Sequence, residues 1–222
     1  AYSRQNVDGN STVEHLIEAN KAIEALRDKN ATKVLIYAPL DFTKLRLVGV
    51  ADGALRKKSE KYSQGCFYIL LMEVDSGSTG GRCWVIEFRS RRATRVAKSS
   101  MGAEVLILNR CSEALQRISR WVYEILYGVV SARELLDIAN PFLVQLVTDA
   151  MDVFQTLQCS RPYAGADESL STYLECLRED LLQGRLEEFV WVPTDSMLAD
   201  GGSKVMPDVL AAELLRTGAW RP

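Results

Sequence analysis

The feature that most constrains the fold is the order of short strand-like and helix-like segments after residue 44. Three apolar runs come first, KLRLVGVAD, GCFYILLMEV and RCWVIEFRS, and the turn sequence SGSTGG separates the last two. Runs of this length that are rich in β-branched and aromatic residues predict strands, and the short links between them favour an antiparallel meander. A shorter run, VLIYAPL, contains Pro39 and is a further strand candidate ahead of the three.

The second half of the chain alternates helical and strand patterns. An amphipathic pattern runs over residues 99–128, with Ser99 or Ser100 as the candidate N-cap. FLVQLVTDA then predicts a buried strand, AMDVFQTLQ a helix, STYLECLREDLLQG a helix closed by Gly184, EEFVWVP a strand, and PDVLAAELLRTG a terminal helix closed by Gly218. The order βββαβααβα therefore predicts an α/β protein, with a mixed five-stranded sheet and helices on its faces.

Length and composition favour one main domain with a lead-in segment. The 222 residues are 47% hydrophobic, and domains usually hold roughly 100–200 residues, so one substantial core is expected. Apolar side chains recur at helical spacing over residues 12–29. We therefore expect residues 1–43 to form an N-terminal helix and lead-in, and residues 44–222 to form the main domain.

Cysteine usage and the lack of membrane signals bear on the compartment. Five scattered cysteines without CxxC spacing predict reduced thiols, mostly in the core. The sequence has no apolar stretch long enough to span a bilayer, and its N-terminus lacks the pattern of a signal peptide. We expect an intracellular protein in a cytoplasmic particle or the nucleus, not secreted and with no membrane partner.

Aromatic residues supply core candidates. Trp84 and Trp191 lie in predicted strands and are expected to face the core, while Trp220 is expected to pack the terminal helix against the sheet. Trp121 and Tyr127 lie on the long helix, where helical spacing favours the core over stacking on a nucleic acid.

Four hydrophobic runs each end on a carboxylate. They are VGVADG at Asp52, SSMGAEVL at Glu104, LVTDAMD at Asp149 and LADGGSK at Asp200. Strand ends place carboxylates on the rim of a sheet, and a helix can bring the glutamate alongside, so the four acids together predict a site for two divalent cations. Any one of them alone would be interpreted as a solvated acid at the end of an element.

A local basic run lies just before Glu104. The net charge of -2 and the pI of 5.6 give no general attraction for nucleic acid, so such a partner requires a local patch. We predict a nucleic-acid-binding segment in FRSRRATRVAKSS, formed by Arg89, Arg91, Arg92, Arg95, Lys98, Ser99 and Ser100. A solvated basic loop is the alternative, and it is the favoured interpretation for a second run, Lys57, Lys58 and Lys61.

At these residues the chain resembles the ribonuclease H domain of copia-type long-terminal-repeat retrotransposon polyproteins. The family pattern is a strand ending in SDA, a Trp-centred strand with a basic run leading into SSxAAE, a TD or CDN strand end, and a closing VPTxxxLADxxTK. Here these segments read VGVADGAL, CWVIEFRSRRATRVAKSSMGAE, LVTDAMD and WVPTDSMLADGGSK. The resemblance covers roughly residues 45–220, and the leading helix is similar to the tail of a reverse transcriptase region. Departures from the pattern include Ala150 in place of Asn, Gly102 in place of Ala, and the pair Gly201 and Gly202 after the last acid.

The resemblance implies a ribonuclease H-like fold and a metal-dependent endonuclease that cuts the RNA strand of RNA–DNA hybrids. It also implies a retroelement polyprotein, with the reverse transcriptase domain as a partner. Asp52 would bridge two Mg2+ ions, for which Mn2+ is a possible substitute; Glu104 and Asp149 would complete one site and Asp200 the other. Such a site needs no histidine base, and the chain's one histidine, His15, lies in the leading helix.

Two further interpretations stay open beside the nuclease. A catalytically decayed or domesticated domain would keep the fold and serve as a nucleic-acid-binding module or scaffold. A different two-metal nuclease, such as an integrase or a junction resolvase on the same fold, is less favoured because those families lack the closing VPTDSMLAD sequence.

Overall fold

The computed structural model describes residues 37–55, 62–73, 79–128, 142–159, 163, 168–204 and 209–222, together with four residues of the leading segment. Those four, Ile17, Asn20, Lys21 and Glu24, are helical. The remainder of the predicted leading helix lies outside the described residues, and so do residues 34–36 of the run VLIYAPL. The division of the chain at residue 43 therefore stays a prediction.

Three antiparallel strands lie at the centre of one sheet: β1 (Leu45–Ala54), β2 (Gln64–Glu73) and β3 (Gly81–Arg92). β1 also pairs in parallel with β4 (Leu143–Thr148), which pairs in parallel with β5 (Glu188–Trp191). A two-residue strand, β6 (Ala219–Trp220), pairs with β3, so the order is β5-β4-β1-β2-β3-β6. The predicted α/β class, the meander and the two later strands are confirmed, and β6 is an addition.

The helices follow the predicted order. They are α1 (Ser100–Tyr127), α2 (Met151–Gln158), α3 (Glu168–Leu182), the single turn α4 (Asp200–Ser203) and α5 (Val209–Thr217). Of the two N-cap candidates for α1, Ser99 is the cap, since its Oγ accepts a hydrogen bond from the backbone N–H of Gly102 at 3.0 Å.

Both faces of the sheet are buried at β1 and β2, which explains why β1 has an almost continuous apolar sequence. One face packs against α1, α2 and α3 through side chains such as Leu47 and Leu115, and the other packs against the C-terminal segment through Val48 and Val50. Successive side chains alternate across a strand. Asp52 therefore points to the same face as Val48 and Val50, which is the face that α4 contacts.

The tryptophans only partly match their predictions. Trp220 is 3% exposed and packs in the second core, which is the cluster that contains Val48 and Val50 on the face covered by the C-terminal segment. Trp84 is half-buried, and its indole N–H donates to the carbonyl of Ala38. The expectation for Trp191 was wrong, because 37% of this residue is exposed. It ends β5, which lies at the edge of the sheet and pairs only with β4 among the described strands. Trp121 and Tyr127 are also exposed, at 54% and 63%, so the core assignment does not hold for them either.

All five cysteines are described, and no disulfide joins them. Cys66, Cys83 and Cys111 are buried, whereas Cys159 and Cys176 are exposed. None of the described helices is long and apolar enough to cross a membrane.

Candidate metal centre and basic pocket

Three of the four predicted acids come together at one end of the sheet. Asp52, Asp149 and Asp200 each offer a carboxylate oxygen, and these oxygens lie within 4.8 Å of one another. Asp52 lies in β1, and Asp149 directly follows β4. Because β1 and β4 are parallel neighbours, both acids lie at the same rim. Asp200 arrives from the C-terminal segment as the first residue of α4. We call these three residues the acid cluster.

Glu104 lies beside the acid cluster but is not one of its three grouped residues. Its Oε2 accepts a hydrogen bond from the backbone N–H of Gly53 at 2.9 Å. A Cβ atom at Gly53 would lie 2.6 Å from the carbonyl carbon of Ala103 and 2.8 Å from the nitrogen of Glu104. Glycine at this position therefore allows the first turn of α1 to approach the end of β1, and this approach brings the fourth acid to the rim.

Burial makes this group of acids unfavourable when all are charged. Asp52 is 1% exposed. Burial raises its pKa to about 6; the Ser203 hydrogen bond and the charge of Lys204 act to lower this pKa, while Asp200 and Asp149 raise it. Burial also raises the pKa of Glu104 well above its usual range, and the charges of Asp52 and Asp149 add to this effect. A bound divalent cation would relieve the mutual repulsion, and carboxylate oxygens are the ligands that Mg2+ prefers, so the residues fit such an ion.

Ser203 and Lys204 complete the surroundings of the acid cluster, and neither was singled out from the sequence. The Ser203 hydroxyl donates a hydrogen bond to Asp52 Oδ2. Lys204 Nζ donates to Asp200 Oδ1 and lies 3.5 Å from Asp52 Oδ1. Partial burial lowers the pKa of Lys204, but the hydrogen bond to Asp200 and the charges of the three acids outweigh it, so this pKa is raised. Spacings of three and four residues from Asp200 were the sequence signal that could have identified both residues.

The turn that carries Asp200 is anchored to β2 and β3. Ser90 Oγ donates to the carbonyl of Gly202 at 2.5 Å, and Gln64 Nε2 donates to Ser90 Oγ at 3.0 Å. A Cβ atom at Gly202 would lie 3.0 Å from Cys66 Cβ and closer still to its sulfur. Gly202, one of the three glycines that depart from the family pattern, is therefore required by the close packing of α4 on β2.

Asp149 is held by a residue that the sequence placed in the core. Trp191 donates its indole N–H to the carbonyl of Asp149 at 3.0 Å. Trp191 is directly opposite Thr148 in the parallel pairing of β4 and β5. The side chain therefore fixes the backbone where β4 ends and the acid cluster begins.

The predicted basic run forms one side of a surface pocket. The pocket lies between the start of β2, the end of β3 and the first turns of α1, and among its lining residues are Gln64, Arg91, Arg92, Arg95, Ile107 and Arg110. We call it the basic pocket. Gln64 pairs with Ala54, two residues after Asp52, and Ala103, the neighbour of Glu104, also lines the pocket, so the basic pocket and the metal centre lie at the same end of the sheet. Arg110 was missed by sequence reasoning because it lies on α1, beyond the linear run.

Like charges crowd in this pocket. Partial burial lowers the pKa of Arg91, and the charges of Arg110 and Arg89 lower it further. Arg110 donates to Thr94 Oγ1 at 2.5 Å. This crowding of guanidinium groups is the electrostatic signature of a site that attracts anions.

The other predicted nucleic-acid contacts have different surroundings. Arg89 forms an ion pair with Glu87, which also binds Arg117 at 2.9 Å. Lys98 and Ser100 are exposed, while Ser99 is engaged as the cap of α1. The three lysines after Asp52 and the histidine of the leading helix lie outside the described residues.

Comparisons with known proteins give structural similarities only. No protein-family model matches the chain, and no curated protein matches it. Among solved structures, RNase H1 of the archaeon Halobacterium salinarum has 17% identity and a TM-score of 0.42, over 71% of this chain and 93% of that chain. The N-terminal RNase H domain of a Mycobacterium tuberculosis protein has 14% identity and a TM-score of 0.42, over 78% and 99%. A foamy viral protease-reverse transcriptase bound to an RNA/DNA hybrid has 13% identity and a TM-score of 0.44, over 93% of this chain and 29% of that one.

Proposed function

We propose that this chain is a metal-dependent endonuclease of the ribonuclease H type that hydrolyses the RNA strand of RNA–DNA hybrids. The observation that carries this proposal is the convergence of Asp52, Asp149 and Asp200, whose carboxylate oxygens lie within 4.8 Å of one another. They come from three separate segments, which is the arrangement expected for a two-metal phosphodiesterase site. Glu104 at the same rim supplies the fourth carboxylate.

The acid cluster and Glu104 are the residues that would hold Mg2+, or Mn2+ in its place. When bound, such ions polarise the phosphate and activate the attacking water. The chain itself contributes the orientation of the ligands: Gly53 holds Glu104, Trp191 holds the backbone of Asp149, and Lys204 contacts Asp200. The ligand roles that the resemblance implies for Asp52, Glu104, Asp149 and Asp200 belong to this proposal.

The basic pocket is the proposed phosphate contact. A hybrid is recognised by its shape, by the 2'-hydroxyls of its RNA strand and by the phosphates of both strands. Arg91, Arg92, Arg95 and Arg110 line the pocket beside the metal centre. Arg89, Lys98, Ser99 and Ser100 belong to the same predicted contact segment. Arg89 is expected to contribute least of the arginines, because Glu87 already pairs with it.

The biological setting rests on the resemblance. We propose that residues 44–222 are the nuclease domain of a retroelement polyprotein and that residues 1–43 connect it to a reverse transcriptase domain. The protein would then act in a cytoplasmic particle or in the nucleus.

A second candidate is a binding or scaffold domain in which cleavage has decayed. The observation that favours it is a set of departures beside the acids, with Ala150 after Asp149 and with Gly201 and Gly202 after Asp200, where the resembled nucleases have other residues. Lys204 contacts Asp200 but does not separate the two candidates, because the nuclease pattern LADxxTK also has a lysine at this position. Such a domain would keep hybrid binding through the basic pocket and would not cut.

Cleavage of a labelled RNA–DNA hybrid, measured beside duplex DNA and duplex RNA of the same sequence, tests the proposal. We expect Mg2+-dependent cutting of the hybrid alone, loss of cutting in Asp149→Asn, and normal cutting in the matched control Asp152→Asn, which alters an exposed acid three residues away. Hybrid binding without cutting would instead support the scaffold. Equal cutting of duplex DNA would contradict specificity for hybrids.

A further inference from the structure

The side chain of Ser203 is buried beside the acid cluster, against Asp52. Ser203 is 1% exposed and ends the single-turn helix α4 that begins at Asp200. Its hydroxyl is close to two acceptors, Asp52 Oδ2 and, at 3.2 Å, the carbonyl of Asp200. Ser203 therefore lies between a carboxylate on β1 and the turn that carries a second carboxylate.

A hydroxyl has one proton and can donate to only one of these acceptors at a time. Asp52 Oδ2 is within hydrogen-bond reach, and a charged carboxylate is a stronger acceptor than a neutral carbonyl. A serine in a helical turn often bonds back to the carbonyl three or four residues earlier, which would be a purely local role. Here the stronger acceptor is also available, so the hydrogen bond goes to Asp52.

The hydroxyl that donates this hydrogen bond is held in place because α4 is anchored to its neighbours. Ser90 binds the carbonyl of Gly202, and Gly202 packs against Cys66 without room for a Cβ atom. The hydroxyl of Ser203 is thus presented to Asp52 by a turn that is tied to β2 and β3. Groups that hydrogen-bond to metal ligands in this way fix the orientation of those ligands and tune metal affinity.

We propose that Ser203 is a positioning residue of the metal centre, which sets the orientation of the Asp52 carboxylate for divalent cations. This inference rests on the proposed function for the identity of the centre. It adds a residue that touches neither the ion nor the substrate and acts through Asp52.

The chain offers a matched control for the removal of this hydroxyl. Ser112 is also buried, at 2% exposed, and donates to the carboxylate of a buried acid, Asp180, at 2.8 Å. That pair joins α1 to α3 and includes no member of the acid cluster. Ser203→Ala and Ser112→Ala therefore remove the same chemical group from the same kind of contact, once at the metal centre and once elsewhere.

Mn2+ binding to the full chain, measured by isothermal titration calorimetry and by the electron paramagnetic resonance spectrum of the bound ion, tests the proposal. We expect Ser203→Ala to weaken Mn2+ binding about tenfold and to alter the spectrum, while Ser112→Ala leaves both unchanged. Ser203→Thr keeps the hydroxyl and is expected to restore affinity. Ser203→Cys retains a side chain of similar size with a weaker donor, and gives the same comparison if the alanine variant does not fold.

We also expect Ser203→Ala to change the Mg2+ requirement of cleavage more than the maximal cleavage rate. In Ser203→Ala, the Mg2+ concentration for half-maximal cleavage should rise about tenfold, while the rate at saturating Mg2+ changes less. Unchanged Mn2+ affinity in Ser203→Ala would overturn the positioning role and leave the nuclease proposal intact. A failure of the unaltered chain to bind Mn2+ at all would overturn the metal centre itself, and the role of Ser203 with it.

Discussion

Replacing Asp52 by asparagine is expected to stabilise the metal-free protein while abolishing cleavage. Burial raises the pKa of Asp52 from 3.8 to about 6. At about 1.4 kcal/mol per pKa unit, this difference corresponds to about 3 kcal/mol of destabilisation when the carboxylate is ionised. Asparagine keeps the shape of the aspartate side chain, and its amide oxygen can still accept the hydrogen bond from the Ser203 hydroxyl. The pKa of about 6 already includes the opposing attraction of Lys204, so nothing more is subtracted for it. The expected net gain at pH 8 is therefore about 3 kcal/mol.

The gain in unfolding free energy of Asp52→Asn over wild type should be largest at high pH and should decrease as the pH falls. Because the pKa is higher in the folded state than in the unfolded state, the folded state binds the proton more tightly. Wild-type stability is therefore reduced as pH rises from about 4 to about 6, and the full penalty persists above that window. The penalty is expected to be only about 1 kcal/mol at pH 4.5. Asparagine does not titrate, so the difference between the two proteins should shrink on acidification.

Thermal unfolding at pH 8 and at pH 4.5, with and without Mg2+, measures these effects. Without metal at pH 8, the Asp52→Asn variant should melt roughly 6–12 °C higher than wild type. Saturating Mg2+ should stabilise wild type, by about 2.7 kcal/mol at 100 times the Kd, and leave the variant unchanged. The matched control is Asp195→Asn, which alters an exposed acid in the same C-terminal segment as Asp200. A variant that is less stable than wild type at pH 8, or a difference that is independent of pH, would refute the reasoning. Cleavage at the wild-type rate would remove Asp52 from the site.

Three other changes probe the basic pocket, the close packing of α4 and the second core. Replacing Arg91 and Arg95 by glutamine should flatten the dependence of log hybrid affinity on log salt by about two, since each phosphate contact contributes roughly -0.9; an unchanged slope would mean that these residues do not grip phosphates. Gly202→Ala should cost about 1–3 kcal/mol of unfolding free energy, because its Cβ atom would lie 3.0 Å from Cys66 Cβ. Adding Cys66→Ala to that variant should recover part of the loss, and additive losses in urea unfolding would argue against the contact. Trp220→Ala should cost about 3–5 kcal/mol, because the side chain is 3% exposed; a loss below about 1 kcal/mol would contradict its place in the core.

Features that depend on neighbouring residues could be predicted from the sequence. Ser99 was identified as a cap candidate because a short polar side chain ahead of an amphipathic run has a local reason to bind the first turn, and the structure confirms it. The meander of β1, β2 and β3 was also predictable, because each strand has its own run of β-branched and aromatic residues and short connections leave few pairings.

Features that depend on long-range packing were missed or wrong. Trp191 was assigned to the core because strand residues of its type usually lie there, but the sequence does not reveal that β5 is an edge strand. Arg110 lies outside the basic run and reaches the pocket only because α1 packs beside the ends of β2 and β3. Lys204 follows an acid by four residues, and only the fold shows that it also approaches Asp52, 152 positions away.

The order of strands and helices, and the placement of Asp52, Glu104, Asp149 and Asp200 at or near element ends, follow from local patterns, because periodicity and end signals are properties of neighbouring residues. The approach of three of these carboxylates to within 4.8 Å of one another, with Glu104 held beside them by Gly53, depends on the folded chain. The parallel pairing of β1 with β4 and the packing of α4 on β2 join segments that are distant in sequence. The contact of Ser203 with Asp52 spans 151 positions, and no local pattern encodes a contact of that range.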